Sequence, residues 1–112
     1  MSKYHNRKTE VNGVLFDSRH EAHRWIELQY MQRAGMIHDL PRQVPFELIP
    51  AIREGKKVVQ RAVVYVADFV YLGHNGAGWE KVVEDAKGVR TDVYKIKKKL
   101  MRWRHGIEIK EV

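Results

Sequence analysis

Charged side chains stand inside two of the most apolar stretches of this sequence. Asp85 and Lys87 follow a pair of valines, and Asp68 lies in a separate apolar run. Side chains alternate along an extended strand, so Asp85 and Lys87 share one face while Glu84 points to the other. Burying an ionised group on an apolar strand is unfavourable, because the group loses its solvation, unless an ion pair or a bound metal compensates for that loss. Carboxylates beside a lysine can bind a hard cation and assist the cleavage of a phosphodiester.

Each of these acids also has a structural interpretation. Asp68 could form a buried ion pair with Lys87 or Arg61, although such a pair is an inefficient way to stabilise a core. Glu84 is expected to pair with a basic group. A β-bulge would exchange Glu84 with Asp85 and make Glu84 the ligand instead.

Two helices are expected next to these charged residues. The first occupies residues 18–34, where Asp17 or Ser18 can cap it, and the second occupies residues 91–105. Each is followed by a glycine suited to a left-handed stop. Glu21 stands three residues after Ser18, which is the spacing of a capping box. Its carboxylate would then bond the backbone of the cap.

Between and after the helices, the apolar pattern predicts a sheet. A small hairpin is expected around the Asn12-Gly13 turn, with longer strands at residues 44–49, 58–72, 79–87 and 107–112. Three of these strands would follow one another antiparallel, and the second helix would return the last strand parallel to the third. The expected class is α/β, with a mixed central sheet flanked by helices.

The second helix is rich in lysine and arginine. On the side nearest Lys87 it carries a group that could hold a phosphate backbone, namely Thr91, Tyr94, Lys95, Lys98 and Arg102. A solvated lysine-rich surface is the alternative. An apolar stripe on the same helix is expected to pack in the core, and it consists of Val93, Ile96, Leu100 and Trp103. Residues 1–9 are expected to form a loosely ordered basic arm that could also touch nucleic acid, through Lys3, Arg7 and Lys8.

Composition narrows the class of protein. A chain of 112 residues is expected to form one domain over residues 1–112, and its net charge of +7 favours a polyanionic partner such as nucleic acid. The absence of cysteine excludes disulfides and thiolate zinc sites and favours a cytoplasmic location. No apolar run has the length of a signal peptide or a membrane span, so no membrane partner is expected.

The acid at position 68 and the later Asp85-Ala86-Lys87 triplet form a recognisable motif. It resembles the PD-(D/E)XK nuclease superfamily, in which an acid precedes a (D/E)-x-K sequence. The likeness extends over residues 3–112 and points to a small, phage-associated, Holliday-junction-resolvase-like branch. The other segments that carry it are Phe16-Asp17-Ser18 with Glu21, Gln43-Val44-Pro45-Phe46-Glu47-Leu48, Tyr65-Val66-Ala67-Asp68-Phe69 and Val83-Glu84-Asp85-Ala86-Lys87-Gly88. Ala67 stands where the superfamily's name has proline.

This resemblance implies a restriction-endonuclease-like αβββαβ core and a Mg²⁺-dependent active site, with Mn²⁺ as a substitute. Asp68, Asp85 and the backbone carbonyl of Ala86 would bind the metal, joined by Glu21 directly or through water. Lys87 would orient or activate the attacking water and stabilise the charge that develops on phosphorus.

The function implied is that of a metal-dependent endodeoxyribonuclease that hydrolyses phosphodiester bonds in branched DNA, such as Holliday junctions, during phage recombination or replication. Symmetric cutting of a junction needs two active sites, so a homodimer is expected. For a phage-encoded chain the location would be the host cell cytoplasm. The alternatives are a non-catalytic DNA-binding module, an RNA nuclease, or an accessory subunit of a phage nucleic-acid complex.

Overall fold

The structure is a computed structural model that describes residues 8–86 and 89–112. Predictions made for residues 1–7, Lys87 and Gly88 lie outside the described residues. The helices are α1 (Arg19–Arg33) and α2 (Asp92–His105). The strands are β1 (Thr9–Val11), β2 (Val14–Phe16), β3 (Ile37–His38), β4 (Arg42–Ile49), β5 (Ile52–Glu54), β6 (Lys57–Gln60), β7 (Val63–His74), β8 (Trp79–Asp85) and β9 (Lys110–Glu111).

The main sheet is mixed, as predicted. β7 is its central strand, with β3 and β4 paired along one edge and β8 along the other, and β9 extends the sheet beyond β8. The pairs made by β7 are antiparallel, whereas β8 and β9 are parallel because α2 connects them. The α/β class is therefore confirmed. The small β1–β2 hairpin around the Asn12-Gly13 turn is confirmed as well.

Both helices begin and end close to the predicted residues. The hydroxyl of Ser18 accepts from the Glu21 backbone N–H at 3.1 Å, and that of Thr91 accepts from the Tyr94 N–H at 3.1 Å. These caps satisfy N–H groups that lack a partner inside the helix. Gly106 ends α2 with a φ of 65°, a left-handed conformation that glycine adopts without steric cost. Neither described helix has the length and apolar character needed to cross a membrane.

One helix packs on each face of the sheet. Phe69 and its registered partner Glu84 face α1, where Trp25 stacks on Phe69 with ring centroids 5.9 Å apart. The neighbouring pair, Val70 and Val83, faces the other way and packs with α2. The α1-side core consists of Phe16, Ala22, Leu28, Ile37, Phe69 and Tyr71. The α2-side core consists of Phe46, Leu48, Tyr65, Ala67, Val70, Val83, Tyr94, Met101 and Ile109.

Two strand predictions differ from the structure. The expected strand at residues 58–72 is wrong, because β6 ends at Gln60 and β7 begins at Val63. β6 pairs with β5 in a separate two-stranded sheet and does not continue into the main one. The expected strand at 107–112 is shortened to the two residues of β9.

The apolar stripe predicted for the core side of α2 is confirmed for Leu100, which packs against the α2-side core, and is wrong for its other members. Trp103 is 79% exposed, and Val93 and Ile96 are exposed as well. The buried residues of α2 are Tyr94 and Met101, which lie two turns apart on a different side of the helix. Helical periodicity allowed either side to be buried, and contact with the sheet selected the one that carries the tyrosine.

Candidate active site

Along strand β7, the odd-numbered side chains switch from one core to the other at Asp68. Tyr65 and Ala67 belong to the α2-side core, whereas Phe69 and Tyr71 belong to the α1-side core. In an uninterrupted strand these odd-numbered residues would all share one face. The alternation therefore reverses between Ala67 and Phe69, and Asp68 is the residue at the reversal.

The neighbouring strand β4 is irregular at the matching position. The registered pairs on either side of Asp68 place Gln43 opposite it. Gln43 has a φ of 52°, in a region that non-glycine residues seldom occupy. Strain of this kind, about 1–3 kcal/mol per residue, persists only where surrounding contacts enforce it, and it is concentrated at functional sites.

Asp68 is held by hydrogen bonds from two strands. The side-chain amide of Gln43 donates to its Oδ1 at 3.3 Å, and the backbone N–H of Ala86 donates to its Oδ2 at 2.8 Å. The second bond ties Asp68 to the end of β8, directly beside Asp85. The two halves of the sequence motif therefore meet in the fold.

Helix α1 brings Glu21 against Asp68. Glu21 is only 4% exposed, and its Oε2 lies 3.5 Å from Nη2 of Arg42. Burial, followed by the charge of Asp68 and a hydrogen bond with it, raises the pKa of Glu21 to about 8, although Arg42 acts in the opposite direction. Glu21 therefore keeps its proton to a higher pH than an exposed glutamate does, and it lies within hydrogen-bonding reach of Asp68. The helix cap uses only the backbone of Glu21, so its side chain is available to this site.

Asp85 lies on the α2 side of the sheet and is 1% exposed. Its Oδ2 accepts a hydrogen bond from the hydroxyl of Tyr65 at 2.6 Å. Burial, then this hydrogen bond and the charge of Asp85, raise the pKa of Tyr65 above its ordinary value, and the charge of Asp68 acts in the same direction. Tyr65 therefore stays protonated at neutral pH and lies close to both aspartates.

Glu21 lies beside Asp68, and the link between Asp68 and Asp85 passes through the backbone N–H of Ala86. Within residues 8–86 and 89–112, no three histidine, cysteine, aspartate or glutamate side chains form a group positioned to hold a metal ion. Glu21 adjoins Asp68, and Asp68 is bonded to the residue after Asp85. Their oxygen donors are of the type that Mg²⁺ prefers. A nearby cation would lower the raised pKa of Glu21, because positive charge favours the ionised carboxylate. The donor types therefore suit a divalent cation, but their arrangement in the described residues does not form a ready metal-binding group.

Glu84, next to Asp85 in sequence, has a different environment. Its side chain is fully buried and accepts two hydrogen bonds from Arg24, at 2.8 Å from Nε and 2.7 Å from Nη2. The hydroxyl of Tyr71 donates to the same carboxylate. The prediction that Glu84 pairs with a basic group is confirmed, and the regular register of β8 with β7 excludes the bulge that would have made it the ligand.

A basic groove of about 340 Å³ lies between α2 and β9. Glu111 lines it and is held by Arg90 and by Lys98, whose Nζ is 3.3 Å from Oε1. Glu111 is the registered partner of Asp85, so the groove adjoins the acids. Burial raises the pKa of Glu111, but hydrogen bonds from Tyr94 and Lys98 and nearby positive charge lower it below its ordinary value. The cationic residues that line the groove are Arg90, Lys95, Lys98, Lys99 and Arg102.

The predicted DNA-contacting residues have different positions. Thr91, Lys95, Arg102 and Lys8 are exposed, and Lys98 is half-buried in the groove. Tyr94 is only 5% exposed and packs in the α2-side core, although it also lines the groove. Direct contact between Tyr94 and DNA stays a prediction. Lys3 and Arg7 lie outside the described residues.

The sequence also matches a family model over nearly its whole length. Residues 1–111 match the model described as protein of unknown function, DUF1064. The chain belongs to the DUF1064 family. No curated protein and no solved structure gives a significant match to it. The resemblance to PD-(D/E)XK nucleases stays a prediction.

Three residues at the candidate site of this DUF1064 chain were not predicted as site residues from the sequence. Gln43 and Tyr65 each bond one of the aspartates, and Arg42 lies between Glu21 and the Phe16 ring, with its guanidinium carbon 4.2 Å from the ring centroid. Their roles depend on pairing between β4 and β7. Spacing along the chain does not reveal such pairing.

Proposed function

We propose that this DUF1064 protein is a Mg²⁺-dependent endonuclease that hydrolyses phosphodiester bonds in DNA. The observation that carries the proposal is the meeting of Glu21, Asp68 and the end of β8 at a buried, strained point of the sheet, where the pKa of Glu21 is raised to about 8. A buried cluster of acids is a costly way to stabilise a fold. Perturbed carboxyl groups of this type are concentrated at catalytic sites.

The order of elements supports the same proposal. Helix α1, strands β4, β7 and β8, helix α2 and strand β9 follow one another, and the last strand is parallel to β8. With β3, β5 and β6 left aside, this order is compatible with the αβββαβ succession that the resemblance to restriction-endonuclease-like enzymes implies.

Asp68 and Asp85 would hold the metal, with Glu21 contributing directly or through water and Ala86 through its carbonyl. When bound, Mg²⁺ would polarise the phosphodiester and lower the pKa of a coordinated water. Mn²⁺ is the expected substitute, because it also accepts carboxylate oxygens. Lys87 is proposed to stabilise developing negative charge, and its position lies outside the described residues.

The other side chains of the site keep the aspartates in place. Gln43 and the Ala86 N–H each bond one oxygen of Asp68, which limits rotation of that carboxylate. Tyr65 does the same for Oδ2 of Asp85. Fixed carboxylates reduce the reorganisation that accompanies charge development in the transition state.

Branched DNA is the proposed substrate. The basic groove adjoins the acids and can contact backbone phosphates, which contribute affinity and orientation but carry no base sequence. A protein that relies on such contacts recognises the shape of its substrate. Paired cuts in a four-way junction need two active sites, so we propose a homodimer as the active form.

The decisive experiment is a cleavage assay on four-way junctions, flaps, duplex, single-stranded DNA and RNA, with and without Mg²⁺. We expect metal-dependent cleavage of branched DNA by the wild type. Asp85→Asn should reduce the rate by about 10³-fold or more and retain DNA binding, because it removes a proposed metal ligand. Asp39→Asn is the matched control, since Asp39 is exposed and its φ of 54° suits asparagine.

Three outcomes would contradict the proposal. Binding of junctions without cleavage in Mg²⁺ or Mn²⁺ would identify a non-catalytic DNA-binding module. Cleavage of RNA alone would identify an RNA nuclease. Equal activity of the wild type and Asp85→Asn would show that the acids are structural.

A further inference from the structure

The hairpin formed by β5 and β6 stands apart from the main sheet. Every residue from 52 to 60, here named the β-ribbon, is exposed to solvent. In the described part of the chain, β5 and β6 pair with each other as a separate two-stranded sheet. An isolated hairpin of this size is marginally stable in water, so an arm of this kind gains order from a binding partner.

The charge pattern of the β-ribbon indicates which partner it suits. It has three cationic side chains, Arg53, Lys56 and Lys57, and one carboxylate, Glu54. Two of its registered pairs set an apolar side chain opposite a polar one, Ile52 with Gln60 and Arg53 with Val58, and the third joins Glu54 with Lys57. An exposed, basic, two-stranded arm is complementary to a polyanion.

The dimensions of the β-ribbon match a groove of duplex DNA. β6 has four residues, which at a rise of about 3.3 Å per residue extend about 13 Å. The major groove is about 12 Å wide and about 8.5 Å deep, and it accepts a two-stranded ribbon. The ribbon is therefore long enough for its tip to reach base edges.

We propose that the β-ribbon enters the major groove of the duplex that carries the scissile phosphate, several base pairs away from that phosphate. This inference rests on the proposed endonuclease function and specifies how that enzyme holds its substrate. The β-ribbon joins β4 to β7, the strands that carry Gln43 and Asp68. Val63, at the start of β7, is about 17 Å from Asp68 along the strand. The contact should therefore fall about five to nine base pairs from the cleavage point.

The test measures binding of an Asp85→Asn background to duplex and four-way junction DNA over a range of salt concentrations. In the triple variant Arg53→Gln/Lys56→Gln/Lys57→Gln we expect affinity to fall about 10- to 100-fold at about 0.1 M salt, and the slope of log Kd against log salt to fall by about 2–3. The matched control, Arg33→Gln/Lys81→Gln/Lys110→Gln, removes the same charge from exposed residues of other elements and should change affinity by less than about threefold.

A second variant separates groove insertion from general electrostatics. Residues 53–59 are replaced by Asn-Gly, which closes the registered pair Ile52 and Gln60 with a two-residue turn. In dimethyl sulfate footprints, the background protein should protect guanine N7 in the major groove, and the shortened protein should lose that protection. Circular dichroism and urea denaturation should show both proteins folded, because the β-ribbon lies outside both cores.

The outcomes distinguish this inference from the proposed function. If the wild type cuts DNA while the ribbon variants bind and protect N7 as the background does, the β-ribbon inference is wrong and the endonuclease proposal stands. If the wild type neither binds nor cuts DNA, both are wrong. If sedimentation shows that the shortened protein has changed from dimer to monomer with N7 protection intact, the β-ribbon is a contact between two copies and the inference is overturned.

Discussion

Glu84 and Asp85 are consecutive in the sequence and are both buried, yet they lie on opposite faces of the sheet and have different partners. On the α1 side, Glu84 is neutralised by two hydrogen bonds from Arg24 and one from Tyr71. On the other side, Asp85 accepts a hydrogen bond from Tyr65, and Asp68 accepts hydrogen bonds from Gln43 and from the backbone N–H of Ala86. The comparison shows that two buried acids adjacent in sequence can have different partners, because they face opposite sides of the sheet.

The electrostatic difference between the two sites has a physical consequence. Arg24 places an opposite charge within hydrogen-bonding distance of Glu84. Glu21, beside Asp68, instead holds its proton up to a pKa of about 8. Arg42, at 3.5 Å, only partly offsets this effect. The second site is therefore the one at which we propose that a cation binds.

The largest expected effect on stability is at the Arg24–Glu84 pair. Arg24→Met should lower the free energy of unfolding by about 3–5 kcal/mol, because it leaves a fully buried carboxylate without its cation. Urea denaturation measures the change. The double variant Arg24→Met/Glu84→Gln should recover more than half of the loss, and any folded protein should keep metal-dependent cleavage. A loss of metal dependence in the folded double variant would remove the distinction between the two sites.

The next effect is a pH dependence of stability caused by Glu21. Folding raises its pKa from 4.5 to about 8, so the stability that it contributes is full below pH 4.5 and is lost as the pH rises to about 8. Without divalent metal, Glu21→Gln should therefore gain on the order of 2–4 kcal/mol relative to the wild type between pH 4.5 and pH 8.5. Urea denaturation in EDTA at both pH values tests this.

Two further measurements sharpen the Glu21 prediction. Glu10→Gln is the control, since Glu10 is exposed on β1 and should show the same stability difference from the wild type at both pH values. Mg²⁺ should stabilise the wild type more at pH 8.5 than at pH 5, because it competes with the proton. A difference between Glu21→Gln and the wild type that is independent of pH would argue against the carboxylate pair.

The smallest expected effect is at the tyrosines that serve the two sites. Tyr65→Phe removes the hydrogen bond to Asp85 and should slow cleavage about tenfold, which corresponds to about 1.4 kcal/mol. Tyr71→Phe removes a hydrogen bond to Glu84 and should lower stability by about 1–2 kcal/mol while changing the cleavage rate less than about twofold. Single-turnover kinetics and urea denaturation of both variants would test this pairing. Equal effects of the two substitutions on cleavage would contradict the assignment of separate roles.

Much of the local structure could be predicted from the sequence. Ser18, Thr91 and Gly106 bound their helices because capping and left-handed stops depend only on residues within one turn. Strand alternation likewise predicted that Glu84 and Asp85 point to opposite faces. The burial of α2 was not predictable in the same way, because the helix has more than one possible buried side and only its contact with the sheet selects between them.

The sequence by itself determined the class of the fold, the ends of the helices and which acids lie in apolar strands, since each depends on neighbours in the chain. Only the tertiary structure decided that Glu21 meets Asp68, that Arg24 neutralises Glu84, and that β5 and β6 leave the sheet as an arm. These outcomes depend on strand register and on the irregular backbone at Gln43, which bring together residues far apart in sequence. Register is a property of the whole sheet, and no local pattern specifies it.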